Sequence, residues 1–206
     1  MYFQLLRELF ATSGTKFPMR IVITAFVLLS AFQSAAVADS AAQFLTKLFI
    51  TVCVPNLGQP AKVREWAQGH QLAEIQDLAA LGLFVGPGDK GAAWAVPSAQ
   101  GSFALSIRGK TQACAVWARA ADPAETLALF QKVIEGVKRP GLEITVDKDT
   151  VSPSPVGDAH ALVYNVTAPN APTSFEFTLL TAERTGGAFQ ASIQAAQAGP
   201  HQAPSK

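Results

Sequence analysis

The sequence predicts an α+β domain with N-terminal helices, a mainly antiparallel sheet of about six to seven strands, and one central helix packed on it. Three observations carry that expectation. Apolar residues recur at helical spacing in residues 42–81, then at a period of two in residues 92–118, and at two again in the segments after residue 142. One capped helical stretch, residues 122–137, interrupts the strands. The strands otherwise follow one another, without the strand–helix alternation of a doubly wound parallel sheet.

The first residues read as an export signal rather than as part of the fold. Ile21 to Phe32, IVITAFVLLSAF, is an uncharged apolar run preceded by Lys16 and Arg20 and followed by QSAAVADS. Ala36 and Ala38 fit the A-x-A pattern, which places cleavage between Ala38 and Asp39. Residues 1–38 are then the signal peptide, with Met19 as an alternative start because a compact signal begins there. A membrane anchor is the competing reading, since the apolar stretch approaches the roughly 20 residues of a span. Gln33, the serines and the alanine-rich end favour cleavage. No cysteine marks a lipidation site and no twin-arginine pair precedes the run. The expectation is a soluble periplasmic or secreted protein with no stable membrane anchor after cleavage. It has a single domain over residues 39–199 and a flexible tail over residues 200–206.

The elements follow in order. Residues 42–53 place Phe44, Leu45, Leu48, Phe49, Val52 and Cys53 at helical spacing, with Asp39 or Ser40 as cap and Pro55-Asn56 as stop. A second helix follows Pro60 with Val63 and Trp66 as its apolar contacts, and a third is predicted over residues 72–81. Strands are predicted at 92–96, 102–107 and 113–118, and the last is apolar on both faces, as in a central, doubly covered strand. Asp122-Pro123-Ala124-Glu125 then supplies a cap, a proline at the first helical position and an acid in the first turn. That helix buries Leu127, Phe130, Val133, Ile134 and Val137 and stops at Pro140-Gly141. Strands at 142–147, 161–167, 175–180 and 189–195 complete the domain, with SPSPVGD (152–158) as the longest loop.

Composition and motifs exclude more than they assign. The 206 residues carry a net charge of +1 and no long basic run, which gives no electrostatic footprint for nucleic acid. Gly86, Gly88 and Gly91 in VGPGDKGAAWAV satisfy the dinucleotide fingerprint G-x-G-x-x-G. That motif needs a strand before it and a helix after it, and here the order is reversed. We therefore read it as a helix-to-strand joint and assign no cofactor. Its tip, Asp89 and Lys90, with Trp94 beside it, is the candidate interaction loop.

No G-x-S-x-G elbow occurs, and His70, His160 and His201 are isolated from one another. His70 and Glu74 are read as a helix-surface pair, Asp147 and Asp149 as turn residues, and no metal or catalytic set is assigned. Asn165-Val166-Thr167 is a formal glycosylation sequon inside a predicted strand. Cys53 and Cys114 lack a C-x-x-C arrangement and nearby basic residues, and in an oxidising compartment they are expected to form one disulfide.

Three segments carry a family resemblance: AQFLTKLFITVCVPNLGQPAKVREWAQGHQL, GPGDKGAAWAVPSAQGSFALSI and ACAVWARAADPAETLALFQKV. Together they resemble a group of small proteobacterial exported proteins and lipoproteins of unknown function. The shared features are carried here by FLTKLFITVC (44–53), PGDKGAAWAV (87–96) and CAVWAR (114–119) before a capped helix. The resemblance implies export, a single domain and the Cys53–Cys114 pairing. It implies no activity, so no catalytic residue is carried over, and this chain departs from some relatives in lacking a lipobox.

The functional expectation is a non-catalytic periplasmic binding or interaction protein, of inhibitor or immunity type, with a protein partner. The alternatives are a hydrolase-like enzyme, with His70, Glu74, Asp89 or His160 converging in the fold, and a small-molecule carrier with an apolar cavity.

Overall fold

A computed structural model describes residues 39–169 and 171–198. The signal segment with its alternative start at Met19, the cleavage residue Ala38 and the tail lie outside the described residues. The fold is α+β as expected, and its sheet has eight strands, all pairing antiparallel, in the order β1-β2-β3-β4-β8-β7-β6-β5.

Helix α1 (Ala41–Leu48) starts on a capping box. The Ser40 hydroxyl accepts from the Gln43 N–H at 3.1 Å, and the Gln43 side chain accepts from the Ser40 N–H at 3.2 Å. The helix runs on as a π-turn over Phe49–Cys53, with the Val54 N–H donating to the Phe49 carbonyl, and closes in a 3₁₀ turn over Val54–Asn56. The Asn56 amide donates to the Val52 carbonyl at 2.8 Å, satisfying one of the acceptors that a helix end leaves open. Leu45, Phe49, Val52 and Cys53 are all fully buried, as their spacing predicts.

Helix α2 (Pro60–Gly69) buries Val63 and Ala67 and leaves Trp66 half-buried. The helix predicted over residues 72–81 does not form. The chain turns at Gln71, whose φ is +54°, and residues Ala73–Glu74 become the short edge strand β1, the strand not foreseen. Helix α3 (Leu78–Val85) begins only after Asp77, whose carboxylate accepts from the Ala80 N–H at 2.8 Å. A strong N-cap thus overrode an apolar spacing that runs through it.

Strands β2 (Ala92–Val96), β3 (Phe103–Ile107) and β4 (Cys114–Ala118) form a meander. All five residues of β4 are buried, as expected of a doubly covered strand. Cys114 and Val116 face the helical layer, whereas Ala115 and Trp117 face the second layer with Phe84 of α3 and Phe189. The Trp117 indole N–H donates to the Ser106 hydroxyl at 2.8 Å, so this buried polar atom is satisfied.

Helix α4 (Pro123–Val137) starts where the sequence predicts. The Asp122 carboxylate accepts from the Glu125 N–H at 2.7 Å, and the Thr126 hydroxyl donates to the Asp122 carbonyl at 2.6 Å. Helices α1 and α4 pack on each other and on the sheet centre, so the helical layer is a pair rather than one central helix. Asp122→Ala should lower the unfolding free energy by about 1 kcal/mol, read from a urea midpoint, because α4 would lose its capping acceptor. An unchanged midpoint would count against that role.

The second half departs from expectation in its hairpin. The predicted strands at 142–147 and 161–167 with a loop over 152–158 are instead two long strands, β5 (Glu143–Ser154) and β6 (Gly157–Thr167). They are joined by a tight turn at Pro155-Val156, with the Ser154 hydroxyl donating to the Gly157 carbonyl at 2.6 Å. Pro153 sits inside β5 because β5 is the edge strand, where a missing N–H breaks no ladder. Asp147 and Asp149 are strand residues, not turn residues, and the register shifts between Val146 and Lys148. Strands β7 (Ser174–Ala182) and β8 (Ala191–Ala198) follow, and β8 enters the sheet beside β4.

The expected disulfide is present. Cys53 and Cys114 are bonded across 61 positions of sequence with their Cα atoms 5.4 Å apart, tying the π-turn to the central strand. No cysteine among the described residues is free, and no helix among them is long and apolar enough to cross a membrane.

Candidate functional site

The glycine-rich segment resolves into a joint between α3 and β2. Gly86 caps α3 with φ +95°, its N–H donating to the Gly82 carbonyl at 3.0 Å, and Gly88 has φ +69°. A Cβ on Gly91 would collide with the Ile107 carbonyl oxygen and with Val85. Each glycine therefore answers a backbone demand. The Asp89 carboxylate accepts from the Gly109 N–H at 2.6 Å and the Lys110 N–H at 3.4 Å, tying this joint to the β3–β4 turn.

Of the candidate interaction loop, Lys90 is exposed and Asp89 is half-buried in that tie. Trp94 is only 4% exposed and belongs to the core, with the Arg64 guanidinium 5.9 Å from its ring centre, so it offers no free contact surface. The reason is pleat register: Ala92, Trp94 and Val96 all face the helical layer.

The dispersed polar candidates do not meet. His70 ends α2 and stacks on Trp66 at 3.9 Å, whereas Glu74 lies on β1, so the predicted helix-surface pair is not formed. Asp89 precedes β2, and His160 is on β6, toward the other end of the strand order. His160 has one close polar partner, Asp149, at 2.7 Å. No group of three or more His, Cys, Asp or Glu side chains among the described residues is placed to hold a metal ion. Asn165 is buried within β6.

What the fold does assemble is an apolar groove along one side of α4. Thr46, Ile50 and Val54 form one wall, at a spacing of four along α1 and its continuation. Leu129, Val133 and Val137 form the other, and Gly136 leaves space between them. This lobe measures about 320 Å³. A second lobe of about 220 Å³ shares Val54 and Val137 with it and is also lined by Leu142 and by Phe175 and Phe177 of β7. The groove opens to solvent at Ile50, which is 48% exposed.

The one charged side chain lining either lobe is Lys132, at the rim of the first. The groove is not legible in the two buried stripes, because its walls lie beside them. The spacing of Thr46, Ile50 and Val54 beside the main stripe was the available signal.

Two large apolar side chains of α3 are exposed, Leu78 at 82% and Leu83 at 54%. Comparison with protein-family models, with curated proteins and with solved structures finds no match.

Proposed function

We propose that the protein is an exported, non-catalytic binding domain, and that the groove between the α1 continuation and α4 takes an apolar ligand. The observation that carries this reading is the pair of adjoining apolar lobes, held open at Gly136. Glycine near the end of a helix costs up to about 1 kcal/mol relative to alanine. No neighbour demands it here, since a Cβ at Gly136 would meet nothing within 4 Å. Its effect is to leave the lobe empty. Small-molecule sites are concave and mostly apolar with few polar groups, which matches this lining.

The test uses Gly136→Leu and a neutral solvatochromic dye. The wild type should bind the dye with a blue shift, and the variant should bind it at least about tenfold more weakly, since several methylenes at ~0.8 kcal/mol each would occupy the lobe. Gly136→Leu should also be as stable as the wild type or up to about 1 kcal/mol more stable, because helix propensity improves. Equal dye binding by both proteins would overturn the groove as the site.

A second reading, closer to an inhibitor or immunity protein, is favoured by the exposed Leu78 and Leu83 on α3, beside the loop carrying Lys90. It expects Leu78→Ser/Leu83→Ser to abolish capture of a periplasmic protein while dye binding persists. Capture unchanged by that substitution would remove it.

A further inference from the structure

We infer that the ligand of the groove is a single-chain amphiphile with an anionic head, of the class of a free alkyl carboxylate, its head held at Lys132 and its chain entering the second lobe. The inference rests on the groove being the binding site and adds the chemistry of what it selects.

Charge complementarity is the first argument. The side chains that line both lobes are uncharged except Lys132, so the only ionic preference the lining can express is for an anion. Among the described residues Lys132 makes no ion pair, although Glu135 follows it by three positions on α4. At the same helix end the Arg139 guanidinium donates to the Gly136 and Lys138 carbonyls, both at 2.7 Å, which adds positive charge beyond Val137. A lysine stem lies well along apolar surface while its ammonium stays at the water boundary, which suits a head group at a groove rim.

The second argument is shape. The first lobe shares Val54 and Val137 with the second, which Phe175 and Phe177 also line. Lys132 and Val137 stand five positions apart on α4, or about 7.5 Å along its axis. An alkyl chain anchored at Lys132 therefore crosses the first lobe before its end reaches the second. Lobes of about 320 and 220 Å³ suit one unbranched chain.

The experiment is titration of the oxidised wild type with dodecanoate, dodecanol and dodecyltrimethylammonium below their aggregation concentrations. Dodecanoate should bind about two- to fivefold tighter than dodecanol, the range of an exposed ion pair, and the cationic amphiphile weakest. Lys132→Met should bring dodecanoate to the affinity of dodecanol and leave dodecanol unchanged. From octanoate to dodecanoate, affinity should rise about three- to fourfold per methylene.

Equal binding of all three amphiphiles, or a carboxylate preference that survives Lys132→Met, would overturn the head-group assignment while leaving the groove reading intact. Failure of all three to bind, with the neutral dye still displaced from wild type but not from Gly136→Leu by an apolar peptide, would overturn the amphiphile and retain the groove. Failure of Gly136→Leu to weaken dye binding would remove both. Binding to vesicles of anionic phospholipid but not to dodecanoate would overturn the free carboxylate.

Discussion

Opening the Cys53–Cys114 bridge should cost about 4 kcal/mol of stability, the chain-entropy value for the 61-position separation it closes. The measurement is urea unfolding of the oxidised protein, of the reduced protein, and of Cys53→Ala/Cys114→Ala. The loss should appear as a lower midpoint of the two altered forms, with a steeper slope as the released unfolded chain expands. Position makes this bridge consequential. Cys53 closes the π-turn that follows α1, and Cys114 begins the strand at the centre of the sheet. The bond therefore joins the helical layer to the meander across segments that are far apart in sequence. Both residues are buried among Val52, Val116 and Ile193, so the double alanine variant also loses packing. A loss below about 1 kcal/mol in both altered forms would mean that the unfolded chain is already constrained in this region.

The groove depends on the same staple. Val54, which both lobes share, follows Cys53 directly, so the bridge fixes one wall where the lobes meet. Opening it should therefore weaken dye binding even under conditions where the chain remains folded.

Helix α4 was legible because its start signal is local: Asp122 caps it and Pro123 opens it, although the Glu125 carboxylate accepts from the Ser40 hydroxyl rather than from the cap, and Leu127 and Val137 are half-buried. The strands of the meander were legible for the same reason, since period two is a property of a few consecutive residues. The β5–β6 hairpin was not. SPSPVGD has loop composition, and only the position of β5 at the sheet edge makes Pro153 acceptable in a strand. Edge position is decided by which strands pair, and that is not written in the segment itself. Trp94 is legible as a core residue, since Ala92 and Val96 share its face and the alternation is visible, and only its place beside the glycine loop suggests exposure. The groove was the least legible feature. Its walls come from residues 46–54 and 129–137, and each wall is a secondary stripe whose meaning depends on the other.

Gly91→Ala should destabilise by about 3 kcal/mol, at the upper end of what overpacking costs, and by more than alanine at Gly86 or Gly88. At Gly91 the obstacle is the Ile107 carbonyl oxygen together with Val85, and a backbone atom of a buried strand cannot swing aside as a side-chain end can. At Gly86 and Gly88 an added Cβ meets nothing within 4 Å, so only the positive φ opposes it, costing about 1–2 kcal/mol each. Urea midpoints of the three single variants give the order directly. A nucleotide-binding fingerprint would behave otherwise, because its second glycine admits a pyrophosphate and its loss would remove a ligand more than stability. If Gly91→Ala were neutral, the close approach of the joint to β3 would be wrong, and with it the account of why three glycines stand at that spacing.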